Sequence, residues 1–247
     1  MAEESGQIEY HYGFYAAMKY EYESAKAEME LLQEYDLGEE PVRMDMLIIK
    51  HRSQDALTDP IGRFFRQFNV LEYKSPEDGL TIDDFYKVQG YACLYKGLGR
   101  TVNAVPAEEL TASIFRHTYP RGLFAALEDA GFQLAETHPG IYYVSGPLSV
   151  PAQVVVTSRL EGYEALKILS RDARREDVVR FLEEAYRNPS EHMEAILRVS
   201  VAANEGLFHV LRKEGVMMGA FERVFHEDIA RWEEHGRRDG IAIGRNE

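Results

Sequence analysis

The chain has 247 residues, of which 45% are hydrophobic and 28% charged, and its formal net charge at pH 7 is −14. That length accommodates one large domain, or a core domain with an appendage. Its single cysteine, Cys93, excludes an internal disulfide framework and a cysteine-rich zinc site.

The acidic balance opposes general nucleic-acid binding, because contacts to phosphates need Lys and Arg. The charge is uneven, however. Residues 1–40 hold 2 Lys and Arg against 11 Asp and Glu, whereas residues 41–150 hold 11 against 13. No apolar run reaches the roughly 18 residues that span a bilayer, and no apolar segment follows the acidic start. We therefore expect a cytoplasmic protein that does not enter a membrane.

The first half of the chain alternates predicted helices and strands. Apolar residues at three- and four-residue spacing predict a first helix over residues 12–35. Residues 42–51 and 64–74 are apolar and rich in strand formers, which predicts two strands joined by a loop over 52–62. The segment Thr81-Ile82-Asp83-Asp84 resembles a capping box, and we expect the helix after it to run to about Lys96.

The second half begins with short elements and then turns helical. Strands are predicted at 110–117, 141–144 and 154–159, with a helix at 120–130. Beyond residue 160 the helical predictions are 161–170, 176–187, 190–214 and 216–235. The fold class is therefore α/β: a mixed sheet flanked by helices, with a helical C-terminal region. We expect a core domain over residues 1–160 and a helical region over 161–247.

Ionisable residues interrupt both of the first predicted strands. Asp45 lies within the apolar run of residues 42–49, and the second strand contains Glu72 and Lys74. Side chains alternate along a strand, so Glu72 and Lys74 project from one face about 7 Å apart. If the strands are neighbours, Asp45 and Glu72 form the oxygen-ligand pair that Mg²⁺ accepts. The alternative is an edge strand protected by charge, although a buried Asp45 would still need a partner.

This pattern resembles the PD-(D/E)XK nuclease superfamily. Its signature is an Asp in an apolar strand, followed about 25 residues later by Glu-x-Lys in a second strand and then by a helix carrying Gln. Here these are Asp45, Glu72-Tyr73-Lys74 and Gln89, with Met44 in place of the Pro that gives the superfamily its name. The resemblance covers residues 10–160. It is closest to bacterial recombination-promoting nucleases and transposase-related proteins, which also open with a helix and in many cases end in a charged, Gly-spaced tail similar to residues 234–244.

The resemblance implies a restriction-endonuclease-like sheet and a metal-dependent DNA endonuclease that leaves a 5′-phosphate and a 3′-hydroxyl. Asp45, Glu72 and the carbonyl of Tyr73 would hold Mg²⁺ or Mn²⁺. Lys74 would orient or deprotonate the attacking water, or stabilise charge on the phosphate. DNA is the implied partner.

Two further site residues come from the same resemblance. The superfamily often adds a Glu from the first helix, for which Glu21 is the candidate, with Glu23 and Glu28 behind it. A Gln and a Tyr on the next helix border the site in relatives, which points to Gln89 with Tyr91 or Tyr95. The alternatives are a first helix that is simply rich in Glu, and tyrosines that pack in the core.

A second hypothesis is a non-catalytic binding or assembly protein on a nuclease-like fold, in which the C-terminal helices form a homo-oligomer. The acidic balance and the large helical share of the chain favour it. A third, an acidic protein that mimics DNA, depends on charge alone. A zinc enzyme has little support, because the eight histidines include no pair with metal-ligand spacing.

Overall fold

The computed structural model describes residues 10–36, 43–51 and 57–216. Its strands are Met29–Asp36 (β1), Arg43–Lys50 (β2), Phe68–Lys74 (β3), Leu110–Arg116 (β4), Gln133–His138 (β5), Ile141–Ser145 (β6) and Ala152–Val156 (β7). Its helices are Tyr10–Glu21 (α1), Ile82–Gly97 (α2), Arg121–Asp129 (α3), Glu164–Lys167 (α4), Arg175–Arg187 (α5), Glu191–Ala203 (α6) and Glu205–Lys213 (α7).

The seven strands form one mixed sheet in the order β1-β2-β3-β4-β7-β6-β5. The first three strands are antiparallel neighbours, β3-β4 and β4-β7 are parallel, and β5, β6 and β7 are again antiparallel. Because β3, β4 and β7 run in the same direction, their carboxyl ends meet at one edge of the sheet.

Helices cover both faces of this sheet, which confirms the predicted α/β class. On one face α2 and α3 pack with Val70, Ala112 and Val154 in one core. On the other face α1 and the C-terminal helices α4 to α7 share a second core with Leu71 and Val155. Alternation along β3 explains the division, since Val70 and Leu71 point to opposite faces. The C-terminal helices therefore pack on this face of the sheet together with α1.

The first predicted helix is wrong beyond Glu21. Helix α1 ends there, a short 3-10 turn follows at Glu23–Ala25, and Met29–Asp36 forms the edge strand β1. Met29 fits both periodicities, because it lies on the apolar stripe of a helix and also on the buried face of a strand. Pairing with β2 decides the outcome, with Met29 opposite Lys50 and Leu31 opposite Ile48.

Other predicted elements were confirmed with changed bounds. The expected second strand begins at Phe68, because Gly62–Phe64 forms a 3-10 turn. Strand β5 was not predicted, and it pairs with β6 through a turn in which Gly140 has a φ of 79°. The first helix expected beyond residue 160 is reduced to the four residues of α4. The predicted capping box is present at the start of α2.

The long helix predicted over 190–214 is divided in two at Asn204. The Asn204 amide donates to the Ser170 carbonyl at 2.6 Å and accepts from the Ala173 N–H at 3.1 Å, so it ties the helix break to the preceding loop. The helix predicted over 216–235 and the tail over 234–244 lie outside the described residues. In the part of the chain that is described, no helix has the length and apolarity needed to cross a membrane.

Candidate active site between strands β2 and β3

The predicted carboxylate pair lies where β2 and β3 stop pairing. The paired residues run from Ile49 opposite Phe68 to Met46 opposite Leu71. In the same register, the next two residues to face each other are Asp45 and Glu72. Here a side chain replaces the backbone ladder, because Asp45 Oδ2 accepts the N–H of Tyr73 at 2.8 Å. The structure therefore brings Asp45 and the Glu-x-Lys segment together, as the sequence predicted.

Both carboxylates are largely withdrawn from water. Glu72 is only 7% exposed, and burial together with the nearby charge of Asp45 raises its pKa to about 7. Burial also raises the pKa of Asp45, although the charge of His11 and the Tyr73 N–H act against the increase. The pKa of each of these neighbouring carboxyl groups is raised, so their ionised forms are unfavourable. A bound cation would stabilise those ionised forms.

Lys74 lies beside Glu72, as alternation along β3 requires. Its Nζ is 3.5 Å from Glu72 Oε1 and 2.9 Å from Asp84 Oδ1 at the start of α2. Burial lowers the pKa of Lys74, but the hydrogen bond to Asp84 and the charge of Glu72 outweigh burial and raise it. The side chain is therefore a fixed ammonium group next to the carboxylate pair.

Two more ionisable side chains, those of Lys87 and His11, reach this cluster, and the sequence analysis identified neither of them. Lys87 lies one turn after Asp84 on α2, and its positive charge lowers the pKa of both Asp45 and Glu72. Its Nζ is also 5.4 Å from the ring centroid of Tyr91. The three-residue spacing of Asp84 and Lys87 was a signal that both lie on one helix face.

His11 is the residue of α1 that approaches the pair. Its Nδ1 is 3.6 Å from Asp45 Oδ1, and its ring meets the ring of Tyr73 edge-on at 5.8 Å. The sequence-based helix began at Tyr12, so His11 lay outside every predicted element. Helix α1 thus contributes a histidine to the site.

The structure does not bring Glu21 to this site. Glu21 ends α1, ten residues after His11, which is about 15 Å along a helix axis. Burial, followed by the charges of Glu164 and Asp59, raises its pKa to about 8, and neither Asp45 nor Glu72 is among the groups that act on it. Glu23 pairs with Lys26 at the surface. Glu28 is also exposed.

Gln89 faces a different part of the fold from the carboxylates. It lies on the buried face of α2, and its Oε1 accepts the N–H of Val150, in the loop before β7, at 3.0 Å. The two tyrosines considered with it differ. Tyr91 lies beneath Lys87, next to the site, whereas Tyr95 contacts Phe68 with ring centroids 5.7 Å apart.

The donors fit a hard divalent cation that keeps much of its water. Among residues 10–36, 43–51 and 57–216, no group of three or more His, Cys, Asp and Glu side chains is placed to hold a metal ion. Asp45 and Glu72 supply two carboxylates, and Mg²⁺ commonly binds proteins through one or two carboxylates while it keeps several waters.

Comparison of the chain with protein-family models, curated proteins and solved structures gives no match.

Proposed function

We propose that this protein is a metal-dependent DNA endonuclease of the PD-(D/E)XK type, related in role to recombination-promoting nucleases and transposases. One observation supports the proposal above the others. The buried carboxylates of Asp45 and Glu72 meet where β2 and β3 separate, and Lys74 is held beside them. A plain edge strand would place such charges in water.

The carboxylate pair would hold Mg²⁺ or Mn²⁺, together with the carbonyl of Tyr73. When bound, the ion would act as a Lewis acid toward a phosphodiester and lower the pKa of a bound water. The raised pKa of Glu72 supports this role, because burial and then the negative charge of Asp45 oppose its ionisation, and a bound cation would offset both effects.

The chain's own cations would act on the substrate. Lys74 is protonated at neutral pH, so its Nζ would donate a hydrogen bond to the attacking water or to a phosphate oxygen as negative charge develops. Lys87 adds a second positive charge from α2, which would attract the anionic substrate. His11 would help to hold Asp45 in place.

The competing candidate is a non-catalytic assembly protein built on the same fold. One contact favours it: Lys74 is closer to Asp84 than to Glu72, so the lysine also serves as a structural partner for the first turn of α2. On this hypothesis the cluster is an ion-pair network that ties α2 to β3.

Nicking of supercoiled plasmid at low salt separates the two candidates. We expect nicking with Mg²⁺ or Mn²⁺ that stops in EDTA and falls about 100-fold or more in Lys74→Ala and Asp45→Asn. Lys19→Ala is a matched control, because Lys19 is also a half-buried lysine, hydrogen-bonded to Gln33 outside the cluster. Equal nicking by the wild type and both site variants would contradict the nuclease assignment and favour assembly.

A further inference from the structure

An apolar stripe follows the solvent face of α2. Among the described residues, the exposed large apolar side chains are Tyr12, Tyr86, Leu94, Leu98, Val102, Tyr186 and Val210. Of these seven, Tyr86 and Leu94 lie on α2, Leu98 is its C-cap, and Val102 lies in the loop that follows. The opposite face of α2 carries the residues that pack on the sheet, such as Phe85 and Val88. A monomer usually scatters its exposed apolar side chains, so this concentration indicates an interaction surface.

Gly90 lies at the centre of the stripe. Tyr86 precedes it by four residues and Leu94 follows it by four, so all three share one helix face. A Cβ built at Gly90 would meet nothing within 4 Å, so packing inside the fold does not require glycine here. Glycine costs helix stability of about 0.5–1 kcal/mol relative to alanine. A gap at this position would instead allow a second helix to approach closely.

The stripe is complementary to itself under a two-fold rotation. If two copies of α2 cross antiparallel at Gly90, Tyr86 of each helix lies against Leu94 of the other. The ends of the helix also match in charge: Asp83 is exposed in the first turn, and Arg100 is exposed just beyond the other end. Antiparallel pairing places the acidic end against the basic end and opposes the two helix dipoles. A surface that pairs with itself in this way is typical of a two-fold dimer.

We propose that the protein forms a symmetric homodimer in which two α2 helices cross antiparallel at Gly90. The dimer does not require the nuclease activity proposed above, because its surface is the solvent face of α2. The two are adjacent, however: Asp84 and Lys87 lie on the same helix beside the carboxylates. The dimer would therefore place two copies of the site next to one interface.

Sedimentation of the full-length protein tests the dimer. Between about 1 and 100 µM we expect twice the chain mass of 28.3 kDa. Leu94→Glu and Gly90→Gln should give monomers with unchanged helical circular dichroism, because both positions face solvent in the single chain. Val210→Glu is the matched control, an exposed apolar residue on α7 that should leave the dimer intact. A monomer at every concentration, or a dimer that persists in Leu94→Glu, would overturn the proposal.

The single cysteine reports the geometry. Cys93 is exposed on α2, three residues from Gly90, so one nitroxide label per chain gives an intermolecular distance alone. A crossing at Gly90 places the two Cys93 Cα atoms roughly 12–14 Å apart, from about 9 Å along the axes and 8–10 Å between them. We expect strong dipolar broadening that disappears on dilution with unlabelled protein. A label that itself dissociates the dimer supports the same location. A dimer with labels more than about 30 Å apart would place the interface elsewhere, for example on the C-terminal helices.

Discussion

The carboxylate of Asp45 accepts the backbone N–H of Tyr73 at 2.8 Å and thereby takes the place of a strand carbonyl at the end of the β2-β3 ladder. This single bond fixes Asp45 beside Glu72 on the neighbouring strand. The same contact therefore terminates the strand pairing and assembles the candidate site.

The stability of the metal-free protein should fall as pH rises through the titration of Glu72. The folded-state pKa of about 7 exceeds the model-compound value of 4.5, so the folded state binds more protons between these values. The stabilisation of the folded state that comes from the raised pKa of Glu72 is complete below about pH 4.5, and it is lost as the pH rises through about 7. Glu72→Gln removes the ionisation, so it should melt about 5 °C higher than the wild type at pH 8 and close to it at pH 4.5.

Thermal melts in EDTA at both pH values check this expectation. Glu128→Gln is the control, because Glu128 is exposed on α3. A Glu72→Gln variant that is less stable than the wild type at pH 8 would show that the ion pair with Lys74 outweighs the cost of burying the carboxylate.

Divalent metal should stabilise the folded chain through the same pair of carboxylates. A ligand that binds only the folded state stabilises it by RT ln(1 + [L]/Kd), about 2.7 kcal/mol at 100 times Kd. We therefore expect Mg²⁺ or Mn²⁺ at pH 8 to raise the melting temperature of the wild type by several degrees, and not that of Asp45→Asn or Glu72→Gln. Differential scanning calorimetry measures the shift relative to the same protein in EDTA without added metal. Equal shifts in the wild type and both variants would place the metal elsewhere.

The residues of the candidate site that lie on strands could be selected from the sequence. Asp45, Glu72 and Lys74 were recognisable because they interrupt apolar runs, and alternation fixed the shared face of Glu72 and Lys74. His11 and Lys87 were not identified, because they come from helices. Spacing shows which residues share a helix face, but tertiary packing decides which face turns toward the strands. The same packing turns Gln89 toward Val150.

Strand β1 shows a different limit of sequence reasoning. Its apolar residues fit a continuation of α1, and only the partner strand distinguishes the two structures. Glu21 was placed in the site because the superfamily that the sequence resembles often adds a Glu from the first helix. In the fold the helix ends at Glu21, and its carboxyl group faces Glu164 and Asp59.

The cap of α2 should contribute measurably to stability, because it orders the helix that carries Asp84 and Lys87. The Thr81 hydroxyl accepts the Asp84 N–H at 3.3 Å, and Asp84 Oδ2 accepts the Thr81 N–H at 2.8 Å. Thr81→Ala removes half of this box and should cost about 1 kcal/mol in the free energy of unfolding. Urea unfolding measures the loss, with Thr101→Ala in an exposed turn as the control. A loss no larger than that of the control would mean that the Lys74 ion pair holds the helix start by itself.

A buried ion pair joins α4 to α5 and should be the most sensitive point among the C-terminal helices. Lys167 and Asp177 are 5% and 2% exposed and contact each other through Nζ and Oδ1, and Arg174 Nε lies 2.9 Å from Asp177 Oδ2. Asp177→Asn leaves the Lys167 ammonium buried without its counter-ion, which typically costs about 3–5 kcal/mol.

Removing both charges should cost less than removing one. In Lys167→Met combined with Asp177→Leu, no unpaired charge remains in the core, so we expect urea midpoints closer to the wild type than those of Asp177→Asn. The exposed pair of Arg187 and Glu183 on α5 supplies the comparison, because Glu183→Gln should change the free energy of unfolding by less than about 1 kcal/mol. If the double variant is the least stable of the set, the pair itself stabilises the junction of α4 and α5, and the cost of burying its charges is the smaller effect.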